Sequence, residues 1–589
     1  MARRRRTGAG GWNNWAGYLA IPVVLVFVLV VYAFAIWQSG GKRDVFVVNG
    51  TTSPYTVVID GNELMVPARS YAKHTLPEGD YELTIKEFPE VPPVQAAVKT
   101  NMFSRPFVSP TIVVNPDQSA IIEFEKIWYG ENVNNLPEGD WEIATGKPVH
   151  VFNGIDYEFL EFPDQITMEG SKASKKRVGL FDGEEVGQQQ LLVILNQILK
   201  PDEMKTFARN WATFSRDDEF AVMLWGGMAS AEEFVVWVEP YLKQEPINVD
   251  LHRTYQSHCE SARPDHDLVG EYRALLSANP DSPELTYLLG RVVEDFDESV
   301  RLFEKAANAN PPSAHAANAL AYAYLSVGEF DKAVEPANQA IQLDPNSLTF
   351  DMNYYDVMLA SRHIGNALNR IRVRRQEQGT DFILLDQEVD MLLADDNLQQ
   401  VPPAIERLVQ EVQVDAPNLA TSLKESWLAK LSYAQGNLDE YADKLEGESF
   451  DAAFVKKDYA EAARLLRRSE KLEERRGQSG SSRTASTHLL LYVAITKAGD
   501  AAGAKEQLDL GIELLGGGTR EERVLASALS PSGTSEPTRY MQLAFRVDEK
   551  RIYMAALATR FPQDKDQYLM LAKRLNFKKS VPYHFLNEL

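Results

Sequence analysis

The stretch "SAHAANALAYAYLSVGEFDKAVEPANQAIQLDPNS", residues 313–347, decides the architecture of this chain. Its apolar and small residues recur at helical spacing on both sides of a turn at Gly328 and Phe330, and Pro345 closes the unit. Leu320, Ala321 and Tyr324 belong to the first helix, Ala333 and Ala340 to the second. Small side chains at Ala321 and Ala333 let the paired helices approach closely, while the large ones fill the gaps. The pattern repeats. One period of 34 residues upstream, Phe296, Ser299, Ala306 and Pro311 occupy the places of Phe330, Ala333, Ala340 and Pro345. Leu289 and Gly290 lie 31 residues before Leu320 and Ala321, so the turn of that copy is three residues shorter. A further period back, Pro280 closes a unit holding Tyr272 and Leu275, and Tyr355, Met358 and Ala367 give a degenerate copy downstream.

These residues and this period resemble the tetratricopeptide repeat (TPR), over residues 249–380. Beyond 380 the match weakens, but "KDYAEAARLL" at 457–466 and "GDAAGAKEQL" at 499–508 echo "GEFDKAVEPA", with Ala462 and Ala504 in the place of Ala333. Residues 381–589 therefore read as degenerate TPR-like repeats. A repeat buries its apolar face only against a neighbour, so an all-α superhelical solenoid is expected from about residue 249 onward. The resemblance implies protein binding in a concave groove lined by the first helix of each repeat. It places His315, Asn318, Tyr322, Thr349 and Met352 there, with Tyr322 as the expected anchor. The family's carboxylate-clamp version wants lysine where Asn318 stands and asparagine where Tyr322 stands, so that ligand is not implied.

Two basic runs stand out in a chain of net charge −23: "RIRVRR" at 370–375 and "RLLRRSEKLEERR" at 464–476. Each is either a solvated helix face with internal salt bridges or a docking strip for an acidic or extended partner segment. On the second reading Arg370, Arg372, Arg374 and Arg375 join the partner-binding residues. The same net charge excludes a nucleic-acid partner, whose phosphates need a basic face. Cys259 is the only cysteine, so no intramolecular disulfide exists.

The N-terminus has a different texture. Arg3, Arg4, Arg5 and Arg6 precede "AGYLAIPVVLVFVLVVYAFAIW", residues 16–37, which contains no charge. Its length, about 33 Å as a helix, matches a bilayer core, and aromatic residues flank both ends. The expectation is a cytoplasmic stub over 1–15, a transmembrane helix over 16–37 in contact with the lipid bilayer, and an extracytoplasmic remainder, periplasmic or cell-surface. The rival is a signal peptide cleaved after "AFA", near residue 35.

From residue 44 the pattern alternates like β structure, with Asn-Gly and Asp-Gly pairs as turn signals. At a constant offset of 104, Val45, Val47, Asn49, Gly50, Ser70, Leu76 and Gly79 meet Val149, Val151, Asn153, Gly154, Ser174, Leu180 and Gly183. Duplicated small β-sandwich-like modules are thus expected over 44–145 and 146–187, with a helical connector over 188–248. "LPEGD" occurs at 76–80 and again at 136–140, and reads as a tight turn in which glycine supplies a positive φ. The order of strands and turns around "YTVVIDGNELMVPA" resembles the PEGA or carboxypeptidase-regulatory-like modules, which serve as spacers or adhesion surfaces on exported proteins.

His252, His258, Cys259 and His266 crowd together, yet His252 and His258 are six apart and Cys259 is adjacent to His258, not the three or four residues that face together on a helix, and Leu251, Tyr255, Cys259 and Ala262 form an apolar stripe. No metal or cofactor is expected. No P-loop, zinc signature, nucleophile elbow or dinucleotide turn occurs. The expected function is a membrane-anchored scaffold or adaptor without catalysis of its own. The alternative is an exported enzyme or enzyme subunit whose hydrolytic site carries no motif.

Overall fold

The computed structural model describes residues 26–32, 34, 41–100, 110–130, 137–167, 172–181, 188–378, 382–395, 398–415, 417–445, 447, 449–475, 481–578 and 584–589. The chain divides into two compact units, Met1–Phe234 and Val235–Leu589.

The expected membrane anchor is not found. Among the described residues no helix is long and apolar enough to cross a membrane. Residues 26–32 and 34 are helical. The single-pass topology and the extracytoplasmic placement that followed from it are corrected accordingly. The stub over 1–15 and residues 16–25, 33 and 35–37 of the expected span lie outside the described residues.

The first unit carries twelve described strands: β1 (Lys42–Asn49), β2 (Tyr55–Ile59), β3 (Asn62–Val66), β4 (Ser70–Pro77), β5 (Gly79–Ile85), β6 (Val94–Val98), β7 (Pro110–Val114), β8 (Ile122–Gly130), β9 (Asp140–Ala144), β10 (Val149–Asn153), β11 (Tyr157–Glu158) and β12 (Lys172–Leu180). They form three four-stranded sheets, ordered β10-β7-β1-β4, β3-β2-β5-β6 and β11-β12-β8-β9. The first sheet is the middle layer. On β1 and β7, Val45, Val47, Ile112 and Val114 pack with Val57, Ile59, Leu83 and Ile85 of the second sheet. Val48 and Val113 point the other way, onto Ile122 and Val178 of the third. Burial on both faces explains why "VFVV" and "TIVV" are apolar runs and not alternating ones.

This layering corrects the duplication. β10 and β12 do lie where β1 and β4 fall at the 104-residue offset, but they pair differently. β1 pairs with β4 along its whole length, whereas β10 pairs with β7 and β12 with β8. The second copy is therefore split between two sheets and forms no module of its own. Strand partners are chosen by long-range packing, which local sequence similarity does not encode.

The turn chemistry is correct at one site and wrong at another. Asp60 and Gly61, both at positive φ, join β2 to β3 as a two-residue hairpin. At 76–80 the chain does not turn back. It leaves β4 in the middle sheet and enters β5 in the second at Glu78, and Gly79 does not have positive φ. At the second copy, a Cβ on Gly139 would lie 2.6 Å from the backbone oxygen of Lys126, so close approach of the backbone excludes a side chain there. Helices α1 (Gln188–Ile198), α2 (Pro201–Phe214) and α3 (Glu219–Met228) share a core with Ile121 and so belong to this unit. The unit boundary falls within α4 (Ala231–Val238).

The second unit is all helical. It runs through α5 (Val249–Ala262), α6 (Leu268–Ala278), α7 (Pro283–Val292), α8 (Phe296–Ala307), α9 (Ala314–Ser326), α10 (Phe330–Leu343), α11 (Leu348–Ala360), α12 (Ile364–Gln378), α13 (Phe382–Ala394), α14 (Val401–Asp415), α15 (Pro417–Ala434), α16 (Leu438–Lys444), α17 (Phe450–Val455), α18 (Tyr459–Arg475), α19 (Ser481–Ala498), α20 (Ala501–Gly516), α21 (Arg520–Leu529), α22 (Pro537–Gln542), α23 (Val547–Arg560), α24 (Lys565–Arg574) and α25 (Phe585–Glu588). Capping marks the starts: Ser282, Asp295, Ser313 and Ser347 each accept a backbone N–H at the head of α7, α8, α9 and α11. Ala321 and Ala333 are fully buried between α9 and α10, as their size requires. Gly328, at positive φ, makes the turn between them.

One helix departs from a simple repeat stack. Every residue of α23 from Lys550 to Ala558 is buried, which covers all faces of a helix. It sits in one continuous core with Ala321 and Leu325 of α9, Tyr355 of α11, Leu489 of α19 and Phe585 of α25. It packs on α24 and α19, and its head is reached by Tyr322 of α9, more than 200 residues earlier in the chain.

Candidate partner-docking surface

The inward helix of the array does not offer an open stripe. Tyr322 Oη donates to the carbonyl of Phe545 at 3.1 Å and accepts from the N–H of Val547 at 3.0 Å, at the head of α23. Asn318 Oδ1 accepts from Asn353 Nδ2 at 2.8 Å. The His315 ring stacks on Tyr287 at 5.8 Å and meets Phe350 edge-on at 5.3 Å, and burial lowers its pKa. All three side chains are half-buried and already engaged within the chain. The expectation of Tyr322 as an exposed anchor is corrected. Its hydroxyl is engaged by backbone groups at the head of α23.

Further along, the arginine run resolves into two ion-pair clusters. Asp351 of α11, 2% exposed, receives Arg370 and, at 3.0 Å, Arg374 of α12. Burial raises the pKa of Asp351 while the two guanidinium groups pull it back. Glu388 of α13 is fully buried and receives Arg375, with Arg407 of α14 at 3.1 Å and Arg372 at 3.5 Å. Arg375 also reaches Glu411. Internal salt bridges thus account for Arg370, Arg374 and Arg375. Arg372 and Arg407 are paired at their inner edge only, and their side chains remain 52% and 55% exposed. Thr349 is also exposed, as is Met352, whose sulfur lies 4.0 Å from Gln387 Nε2.

Arg372, Arg375, Gln376, Glu388 and Arg407 wall a cavity of about 290 Å³. A second cavity, about 360 Å³, is lined by Arg520, Arg523 and Arg539. Its arginines are spent on structure: Arg520 donates to the Val292 carbonyl at 2.6 Å, Arg523 to that of Glu260 at 3.1 Å, and Arg539 to Glu536 at 3.4 Å. In the other basic run Arg464 pairs with Glu461 on an exposed face, and side chains from 470 lie outside the described residues.

Sequence reasoning missed Arg407, Gln376 and the buried Glu388. Arg407 follows Arg372 by 35 residues, one more than the repeat period, so the repeat did not single it out. Glu388 gave no signal, because it stands among Asp386, Gln387 and Asp390 and reads as one more polar residue of an exposed face. The histidine and cysteine group diverges: His252 Nδ1 meets Tyr272 Oη at 2.8 Å, and His266 Nε2 meets Glu271 at 2.8 Å. Burial lowers the pKa of His252 to about 4 and raises that of the Cys259 thiol. Among the described residues no cluster of three or more His, Cys, Asp or Glu side chains is placed to hold a metal.

No protein-family model matches the chain, and no curated protein matches it in sequence. The resemblances to TPR and to PEGA-like modules therefore stand on the residues alone. A solved structure of Naa15/Naa10 bound to HypK-THB aligns with 67% of this chain and 71% of its own, at 12% identity and a TM-score of 0.23. A likeness that low carries no argument about fold or partner; the helical-repeat character of the second unit rests on its own helices.

Proposed function

We propose that the chain is a protein-interaction scaffold without chemistry of its own, and that it receives a partner segment on the face of α11–α14 and not in a concave groove. The observation that carries this reading is the pair Arg372 and Arg407. Each stands more than half exposed above a carboxylate that is fully buried, in a chain of net charge −23. Exposed cations held in place on an otherwise acidic protein favour and orient an acidic partner. Thr349 and Met352 add an exposed polar and an adaptable apolar contact on α11. The test is charge reversal in the full chain, Arg372→Glu with Arg407→Glu, followed by cross-linking in the source cell and mass spectrometry. Loss of a defined set of cross-linked proteins at unchanged thermal stability is expected. An unaltered set would refute this surface.

A further inference from the structure

We propose that the cavity walled by Arg372, Arg375, Gln376 and Arg407, with Glu388 behind them, is a phosphoryl-binding site that takes the phosphomonoester of a phosphorylated partner side chain. The inference rests on the scaffold reading above and adds the chemistry of what is held. Three observations carry it.

The first is charge. The cluster at the cavity contains three arginines (372, 375 and 407) and two carboxylates (Glu388 and Glu411), leaving an excess of one positive charge. A phosphomonoester carries about −1.5 to −2 near neutral pH, so such an anion is drawn to the cluster and neutralises that excess.

The second is unused donor capacity. Among the described residues Arg372 meets Glu388 only through Nε at 3.5 Å and makes no hydrogen bond, and Arg407 makes one, from Nη2 to Glu388, with its Nε 4.0 Å from Glu411. The terminal nitrogens of Arg372 and Nη1 of Arg407 therefore remain to bond a ligand, in the planar fork that suits phosphate oxygens.

The third is preorganisation. Glu388 is fully buried and holds Arg375 from beneath, while Glu411 takes its other terminal nitrogen. That arginine is fixed before any ligand arrives, which lowers the entropic cost of binding. The volume, about 290 Å³, equals that of roughly ten waters at about 30 Å³ each, room for a phosphoryl group with its carrier side chain.

The test is calorimetric titration of the full chain in low-salt buffer. The probes are a phosphoserine pentapeptide flanked by alanines, its unphosphorylated form, inorganic phosphate and hexaglutamate. The phosphoserine peptide is expected to bind and its unphosphorylated form not to. The double variant Arg372→Ala with Arg407→Ala is expected to weaken binding at least about tenfold with an unchanged circular dichroism spectrum. Arg407→Lys is also expected to weaken it, since an ammonium cannot present the fork. Three outcomes would overturn the proposal: no heat with the phosphopeptide at millimolar concentration, equal affinity in the double variant, or inorganic phosphate binding more tightly than the peptide. Hexaglutamate binding more tightly than the phosphopeptide would also overturn it, while leaving the acidic-partner scaffold intact.

Discussion

Lys550 offers the most decisive perturbation of the second unit. It lies on α23, fully buried, and among the described residues its ammonium nitrogen has no hydrogen-bond partner. Burial alone lowers its pKa from 10.5 to about 7. The unfolded chain therefore binds one more proton than the folded chain between about pH 7 and pH 10.5, so stability rises with pH across that window. At 1.36 kcal/mol per unit, the penalty for this residue is on the order of 5 kcal/mol near pH 6, on the order of 2 near pH 9, and close to zero above pH 10.5. Lys550→Met keeps the aliphatic stem and removes the ionisable group. The variant is expected to be more stable than the parent by a few kcal/mol near pH 6, with the gain roughly halved near pH 9. Urea unfolding followed by far-ultraviolet circular dichroism reads this directly. A variant less stable than the parent near pH 6, or a gain that does not shrink with rising pH, would refute the reasoning. It would show that the ammonium group reaches water or a carboxylate.

Four further perturbations test the rest of the structure. Tyr322→Phe strips both hydrogen bonds from the head of α23 and is expected to cost about 1–3 kcal/mol in thermal or urea unfolding; an unchanged midpoint would place the hydroxyl in solvent. Asp351→Ala leaves Arg370 and the buried Arg374 uncompensated and is expected to cost about 3–5 kcal/mol, and a double-mutant cycle with Arg374→Ala is expected to return strong coupling. Gly139→Ala drives a Cβ into the Lys126 carbonyl and is expected to destabilise the β unit by about 1–3 kcal/mol. Gly79→Ala meets only the Tyr81 ring at ordinary contact distance and is expected to stay within about 0.5 kcal/mol. Equal effects would show that the two LPEGD copies share one geometry.

The repeats were legible because their determinants are local. Ala321, Ala333 and Gly328 do in the fold what their size and backbone freedom suggest, and the serine and aspartate caps open the helices. What stayed hidden depends on residues far apart. The sequence of α23, "VDEKRIYMAALATR", carries five charged residues and reads as a surface helix, yet it is enclosed on every side. Periodicity reports a preferred face and is silent on a helix buried all round. The partner of Arg374 is 23 residues away on another helix, and the buried Glu388 beneath Arg375 is 13 away. In the β unit the strands were readable, but β10 and β12 fall in different sheets because the middle sheet took one of them. Of the expected docking residues, Arg372, Thr349 and Met352 remain exposed, and Tyr322 and Asn318 were read from the right helix with the wrong neighbour.

The enclosed α23 also sets the order in which the molecule can be completed. Stacked repeats usually fold as nearest neighbours, each able to settle once the next has emerged. Here Tyr322 waits for a partner 223 residues further on. At about 5–20 residues per second, the ribosome delivers that partner some 10–45 s later. Through that interval Ala321 and Leu325 settle between α9 and its neighbours α10 and α11, while the Tyr322 hydroxyl has neither of its two backbone partners. The early repeats can therefore stack first, and the junction with α23 closes last.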